Sequence, residues 1–205
     1  MTPRPNHAEI LPIHVSENIL QLDSLPPGEN VYDEKFNILH STNVFDQDLT
    51  YFRSKCSLKE CSLVVGYLDI NDFKKLNTEY TETRVDEAFL RILMRKLESH
   101  LFNKGTAYKE GGDEYLVVLP NADHEDAVRI FKTFQAKIAN LTFSLGEISP
   151  TVAIGFFVVK PECYLINQEI QILANQTKAE AKKQDNKDCI VKIIEDNVTR
   201  VVHSN

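Results

Sequence analysis

Between residues 62 and 195 short apolar runs alternate with longer stretches of helical periodicity. Ser62–Ile70 (SLVVGYLDI) is an apolar run of strand length that ends beside a carboxylate, and it predicts a buried strand. Arg84–Phe102 sets Val85, Phe89, Ile92, Leu93, Leu97 and Leu101 at the spacing of an amphipathic helix. Thr106–Lys109 and Tyr115–Leu119 read as two short strands, with Glu110-Gly-Gly-Asp-Glu114 as the hairpin tip between them. Asp123–Asn140 is a helix whose acidic opening suits a helix N-terminus. A β-branched and aromatic strand over Thr151–Val159, a helix over Asn167–Lys183 and a closing strand over Cys189–Ile194 follow. Upstream, Phe36, Leu39, Phe45, Leu49 and Phe52 recur at three- and four-residue steps with one break, between Leu39 and Phe45, which predicts one or two short amphipathic helices between Asp33 and Lys55.

The order β-α-β-β-α-β-α-β predicts an α+β domain, a central, mainly antiparallel sheet flanked by helices that this order alone would set on one side. Residues 1–30 hold five of the eight prolines, so 1–32 is expected to be a poorly regular arm. The domain then runs over 33–195, and 196–205 is a tail.

Composition narrows the function. At 42% hydrophobic and 26% charged the chain has globular composition. It has no run of about 18 apolar residues, so no membrane span is expected, and MTPRPNHAEI lacks a secretory pattern. A net charge of −7 argues against binding a nucleic acid duplex through its backbone but leaves a local nucleotide site open. Cys56, Cys61, Cys163 and Cys189 form no C-x-x-C pair, and they read as reduced, packed thiols of a cytoplasmic protein.

Three pieces carry candidate chemistry. Leu68-Asp-Ile-Asn-Asp-Phe-Lys-Lys-Leu-Asn77 puts Asp69 at the end of a buried strand running into a loop. Gly111-Gly-Asp-Glu114 puts Asp113 and Glu114 beside two residues without side chains, where a large substrate could approach the backbone. If the two strands are neighbours, the carboxylates converge, and hard oxygen ligands so placed suit Mg²⁺ carrying substrate phosphates. Lys182-Lys183 closes the last helix as a candidate phosphate counter-charge. Taken singly these are a turn aspartate, a hairpin turn and a helix-terminal cation. Their conjunction in this order points to a site.

Together, Leu68–Asn77 and Gly111-Gly-Asp-Glu-Tyr115 resemble the GGDEF family of diguanylate cyclases, over roughly residues 33–195. The resemblance implies a ferredoxin-like palm related to nucleotide cyclases and polymerases. Carried over by position, Asp69, the Ile70 carbonyl and Asp113 are implied as metal ligands, and Glu114 as a metal ligand or the acid that activates a 3′-hydroxyl. Phe73 and Lys74 fall where the family contacts the triphosphate, and Asn77 and Asp86 where it reads guanine. Lys182 matches a phosphate-binding lysine within Ala174–Lys182, which resembles the family's A-D-x-A-L-Y-x-A-K helix, and Thr151-Val-Ala-Ile-Gly155 resembles its T-V-S-I-G strand.

Several positions depart from the family pattern. Thr81-Glu-Thr-Arg-Val-Asp86 replaces G-H-x-x-G-D, and Asn186 stands where a phosphate-binding arginine is usual. Phe102-Asn-Lys-Gly105 occupies the place of the product-inhibition motif R-x-x-D. The implied activity is condensation of two nucleoside triphosphates, most simply GTP, into a cyclic dinucleotide on Mg²⁺ or Mn²⁺, by a homodimer of facing sites. The alternatives are a cyclic oligonucleotide synthase of phage defence using ATP, and a nucleotide-binding module without turnover.

Overall fold

Among the described residues the first strand is β1 (His40–Ser41) and the first α-helix is α1 (Phe45–Leu58), whose buried Phe45, Leu49, Phe52 and Cys56 form a stripe at three- and four-residue steps. The structure, a computed structural model, describes residues 31–141, 143 and 150–183, together with the backbone of 190–195 and 198–203. Strand β2 (Leu63–Ile70) is buried at all eight positions: it pairs on both of its edges and is packed over on both faces. A short helix α2 (Phe73–Glu79) follows Asp72, which takes a left-handed backbone with φ of 57°. Helix α3 (Glu82–Val85) runs through a π turn (Asp86–Leu90) into α4 (Arg91–Leu101). The hairpin is β3 (Thr106–Lys109) and β4 (Glu114–Pro120), then come α5 (His124–Ala139), β5 (Val152–Val159) and α6 (Asn167–Lys182).

The sheet has the order β1-β3-β4-β2-β5. All its pairings are antiparallel except β1 with β3, where His40 lies beside Tyr108. The expected α+β class and mainly antiparallel sheet are therefore observed. The expectation of helices on one side is corrected: they cover both. On one face Val64, Leu68 and Ile70 pack with Phe89 and Leu93 of the α3–α4 helix and with Phe131 and Phe134 of α5. On the other, Val65 and Tyr67 pack with Phe45 and Phe52 of α1 and with Ile170 and Ala174 of α6. The physical reason lies in β2 and β5, whose residues are apolar and buried on alternate sides alike, so each face needs its own layer.

Helix α5 starts where the sequence predicts, with the Asp123 carboxylate accepting from the Asp126 amide at 2.9 Å. The expected closing strand appears as β6 (Ile190–Glu195), but it joins β7 (Val198–His203) in a separate two-stranded ribbon rather than extending the sheet. Much of the expected 196–205 tail is thus strand. The expected 1–32 arm lies outside the described residues except for 31 and 32, as do Asn186 and Cys189. Cys56, Cys61 and Cys163 are free thiols.

Candidate functional site

Two neighbouring strand ends build the acidic centre. Antiparallel pairing of β2 with β4 puts Asp69 directly opposite Glu114, and the Ile70 amide donates to the Asp113 carbonyl at 3.2 Å. The hairpin turn closes with the Glu110 and Gly111 amides both donating to the Glu114 carbonyl, at 3.1 and 3.3 Å. Asp69 is only 3% exposed, and burial raises its carboxyl above the ordinary range against the pull of Lys182, with the Asp113 charge adding to the rise. Burial also works to raise Glu114, but the hydrogen bond and charge of Lys178 outweigh it and hold the carboxyl below its usual range.

Two lysines of α6 reach this centre. Lys182 Nζ lies 2.5 Å from Asp69 Oδ1, while Lys178 Nζ lies 2.5 Å from Glu114 Oε1 and 3.6 Å from Asp69 Oδ2. Lys182 is the residue singled out in the sequence. Lys178 was missed, and it stands where the A-D-x-A-L-Y-x-A-K pattern carries leucine. Its signal was a position in the buried stripe of α6, four residues after Ala174, with Ile170 a further four before.

Beside the acidic centre lies a cleft of about 310 Å³. The sequence-predicted Phe73, Asn77, Asp86, Gly111 and Gly112 all line it, joined by Lys35 and Lys109. The hairpin links the two parts, since Glu110 and its glycines wall the cleft while Glu114 reaches the centre through Lys178. A Cβ placed on Gly112 would meet nothing nearer than Phe73 at 3.7 Å, and on Gly111 nothing nearer than Glu114 at 3.5 Å. The missing side chains thus serve the cleft, not the packing. Asn77 Oδ1 is buried with no hydrogen-bond partner among the described residues. Lys35 Nζ sits 2.6 Å from Asp86 Oδ2 and 3.1 Å from Glu82 Oε1. Lys109 Nζ donates to the Gly112 carbonyl at 2.9 Å and stands 4.8 Å from the centroid of the Tyr115 ring. Lys74 is exposed on α2 and does not line the cleft.

The carboxylates of Asp69 and Asp113 are hard oxygen donors of the kind Mg²⁺ takes when it also holds substrate phosphates and water. Among the described residues no three or more Asp, Glu, His or Cys side chains form a cage for a metal by themselves. A second cavity, of about 330 Å³ at the far end of the sheet, is lined by Cys56, Cys61 and Cys163 but by no carboxylate. Burial pushes the Cys56 thiol up to about 11, which makes it a poor nucleophile at neutral pH.

Comparison with known proteins bears on this arrangement. Residues 34–188 match the family model described as diguanylate cyclase, GGDEF domain. An uncharacterized membrane protein of Staphylococcus epidermidis is 24% identical over 123 residues, 58% of this chain and 34% of that protein. The uncharacterized protein YhcK of Bacillus subtilis is 30% identical over 92 residues, 43% of this chain and 25% of that one. The chain therefore spans a quarter to a third of the length of these relatives. Among solved structures, the diguanylate cyclase SiaD of Pseudomonas aeruginosa, in complex with its activator SiaC, aligns with a TM-score of 0.71 at 19% identity, covering 86% of this chain and 65% of that one. The GGDEF domain of DgcB from Caulobacter crescentus, in complex with c-di-GMP, aligns at 0.69 and 16% identity, covering 82% and 98%. These likenesses establish the palm-like fold. Among the described residues no helix is long and apolar enough to cross a membrane.

Proposed function

The chain belongs to the diguanylate cyclase GGDEF domain family, and from that premise we propose that it is a nucleotidyltransferase joining two molecules of GTP into a cyclic dinucleotide with release of pyrophosphate. The observation that carries this reading is the meeting of Asp69 with Glu114 at the end of β2, against a cleft walled by Asn77, Asp86 and the two hairpin glycines. A base in the cleft would find the Asn77 amide, its Oδ1 unpartnered, and the Asp86 carboxylate, a pair that complements guanine's acceptor and donor edge. The bare backbone at Gly111 and Gly112 lets the ribose and phosphates come close.

Asp69 and Asp113, with Glu114 and the Ile70 carbonyl beside them, would hold Mg²⁺ or Mn²⁺, which supplies charge neutralisation on the triphosphate when bound. Lys182, 39% exposed, is long enough and open enough to leave Asp69 for a phosphate oxygen. In the reaction a 3′-hydroxyl oxygen bonds to the α-phosphorus of the other nucleotide. The bond from that phosphorus to the β-phosphate bridge breaks, pyrophosphate leaves, and the hydroxyl proton passes to water. One chain offers one cleft of this kind among the described residues, so turnover calls for two chains face to face. Nucleotides and Mg²⁺ at working concentrations make the cytoplasm the fitting compartment.

A second reading, nucleotide binding without turnover, draws on the two lysines seated on the catalytic carboxylates. Incubation with each nucleoside triphosphate and Mg²⁺ or Mn²⁺, followed by mass analysis, separates the readings. Cyclic diguanylate and pyrophosphate are expected. Bound but unconverted GTP would support the second reading, and an adenine product would replace GTP with ATP.

A further inference from the structure

Lys178 is a buried cation with an unusual set of neighbours. The residue is 5% exposed, and its ammonium contacts Glu114 at 2.5 Å and Asp69 at 3.6 Å while standing 4.3 Å from the centroid of the Tyr67 ring. Two carboxylates and an aromatic face hold the buried ammonium in place. Its backbone is equally constrained: a Cβ on Gly155 would lie 2.0 Å from the Lys178 amide nitrogen, so α6 presses directly on β5 here. Lys178 is therefore a fixed charge. Lys182, half-open to solvent, is a movable one.

Phosphoryl and nucleotidyl transfer commonly uses two divalent ions 3.5–4 Å apart, clamped by shared carboxylates. We propose that the Lys178 ammonium takes the place of one of them, so that this centre admits a single divalent ion per bound nucleotide. The proposal rests on reading the cleft as a metal–nucleotide site. Occupancy supports it, since the ammonium already holds oxygens of Asp69 and Glu114 that a second ion would need. Charge supports it as well. Asp69, Asp113 and Glu114 bring three carboxylates to the centre, and the Lys178 ammonium between Asp69 and Glu114 already supplies part of the positive charge that a second ion would bring. A second divalent ion would lie within a few ångströms of a like charge in a poorly solvated site.

The test counts Mn²⁺ by electron paramagnetic resonance in the presence of α,β-methylene-GTP, with nucleotide binding followed separately by calorimetry. One ion per bound nucleotide is expected for the wild-type chain. Lys178→Met should admit a second, bound at least about tenfold more tightly than any second ion on the wild type, and Lys178→Arg should stay at one. Two ions on the wild type, or a folded Lys178→Met that still takes one, overturns the proposal while leaving the nucleotide site standing. The wild-type count decides alone if Lys178→Met does not fold. Failure of the wild type to bind the nucleotide overturns the site reading and this inference with it.

Discussion

Gly155 and Lys178 touch backbone to backbone: a Cβ at 155 would lie 2.0 Å from the Lys178 nitrogen and 2.3 Å from the Thr177 carbonyl carbon. The contact is what brings α6 close enough for both its lysines to reach Asp69. Gly155→Ala cannot be relieved by a side-chain rotation, because the opposing atoms are main chain. It should cost about 2–3 kcal/mol in urea unfolding and weaken nucleotide binding together. An alanine variant as stable as wild type would show that α6 is free to slide.

The hairpin glycines should behave in the opposite way. Gly112 has no neighbour closer than 3.7 Å to an added methyl group. Gly112→Ala should therefore change stability by less than about 1 kcal/mol while lowering nucleotide affinity at least about tenfold, because the methyl group enters the cleft. Calorimetric titration with a non-hydrolysable GTP analogue checks it. Unchanged affinity would place the nucleotide elsewhere.

The contrast between these glycines shows what the sequence could and could not reveal. Asp69, Asp113 and Glu114 were legible because a buried apolar strand and a glycine hairpin constrain their neighbours to one register. The covering of both sheet faces was not, since β2 and β5 are apolar on both sides and do not say which helix takes which. Helix α2 escaped notice because Phe73–Glu79 is seven residues long, largely polar and entered through a left-handed Asp72. The absent R-x-x-D motif acquires a steric reason only in three dimensions: a Cβ at Gly105 would lie 2.2 Å from the Val118 carbonyl oxygen. Lys178 reads in one dimension as a helix-face cation, and only the packing of α6 on β5 buries it.

Asp113→Ala tests the acidic centre. Asp113 is half-buried at the hairpin tip, so its loss should leave the unfolding midpoint nearly unchanged. Turnover should fall by more than tenfold, the equivalent of about 1.4 kcal/mol in transition-state stabilisation. Pyrophosphate release is the assay, and a variant that keeps a tenth or more of the activity removes Asp113 from the reaction.

Lys109 gives the fold a pH dependence of predictable sign. Burial pushes its ammonium down to about 8 from an ordinary 10.5. Between those values the unfolded chain keeps the proton and the folded chain does not, so Lys109's contribution to stability rises with pH across that window. Below pH 8 the folded state carries the full cost of the buried charge, up to about 3 kcal/mol. Lys109→Met should thus be more stable than wild type at pH 7, with the gap narrowing towards pH 10. Urea unfolding of both proteins at pH 7 and pH 9.5 checks this, and a gap that widens with pH would reverse the assignment.

Base preference turns on Lys35 and Asp86. Asp86 lines the cleft with a side chain 14% exposed, and Lys35, 55% exposed, holds its Oδ2 at 2.6 Å. A pocket that hydrogen-bonds a base edge discriminates far more strongly than an apolar one, because the wrong base leaves buried polar groups unmatched. With Asn77 and Asp86 both facing the base, GTP should exceed ATP by about 100-fold or more in kcat/KM. Asp86→Ser should erode that ratio by losing GTP use. The Lys35 ammonium competes with guanine's donors for the same carboxylate, and its own exposure to solvent limits what the pair contributes to folding. Lys35→Met should therefore change stability by no more than about 1 kcal/mol and raise the GTP-over-ATP ratio several-fold. Equimolar GTP and ATP in one tube, with products weighed by mass spectrometry, gives the ratio for all three proteins. A lower ratio in Lys35→Met would mean that Lys35 orients Asp86 on the base instead of competing for it.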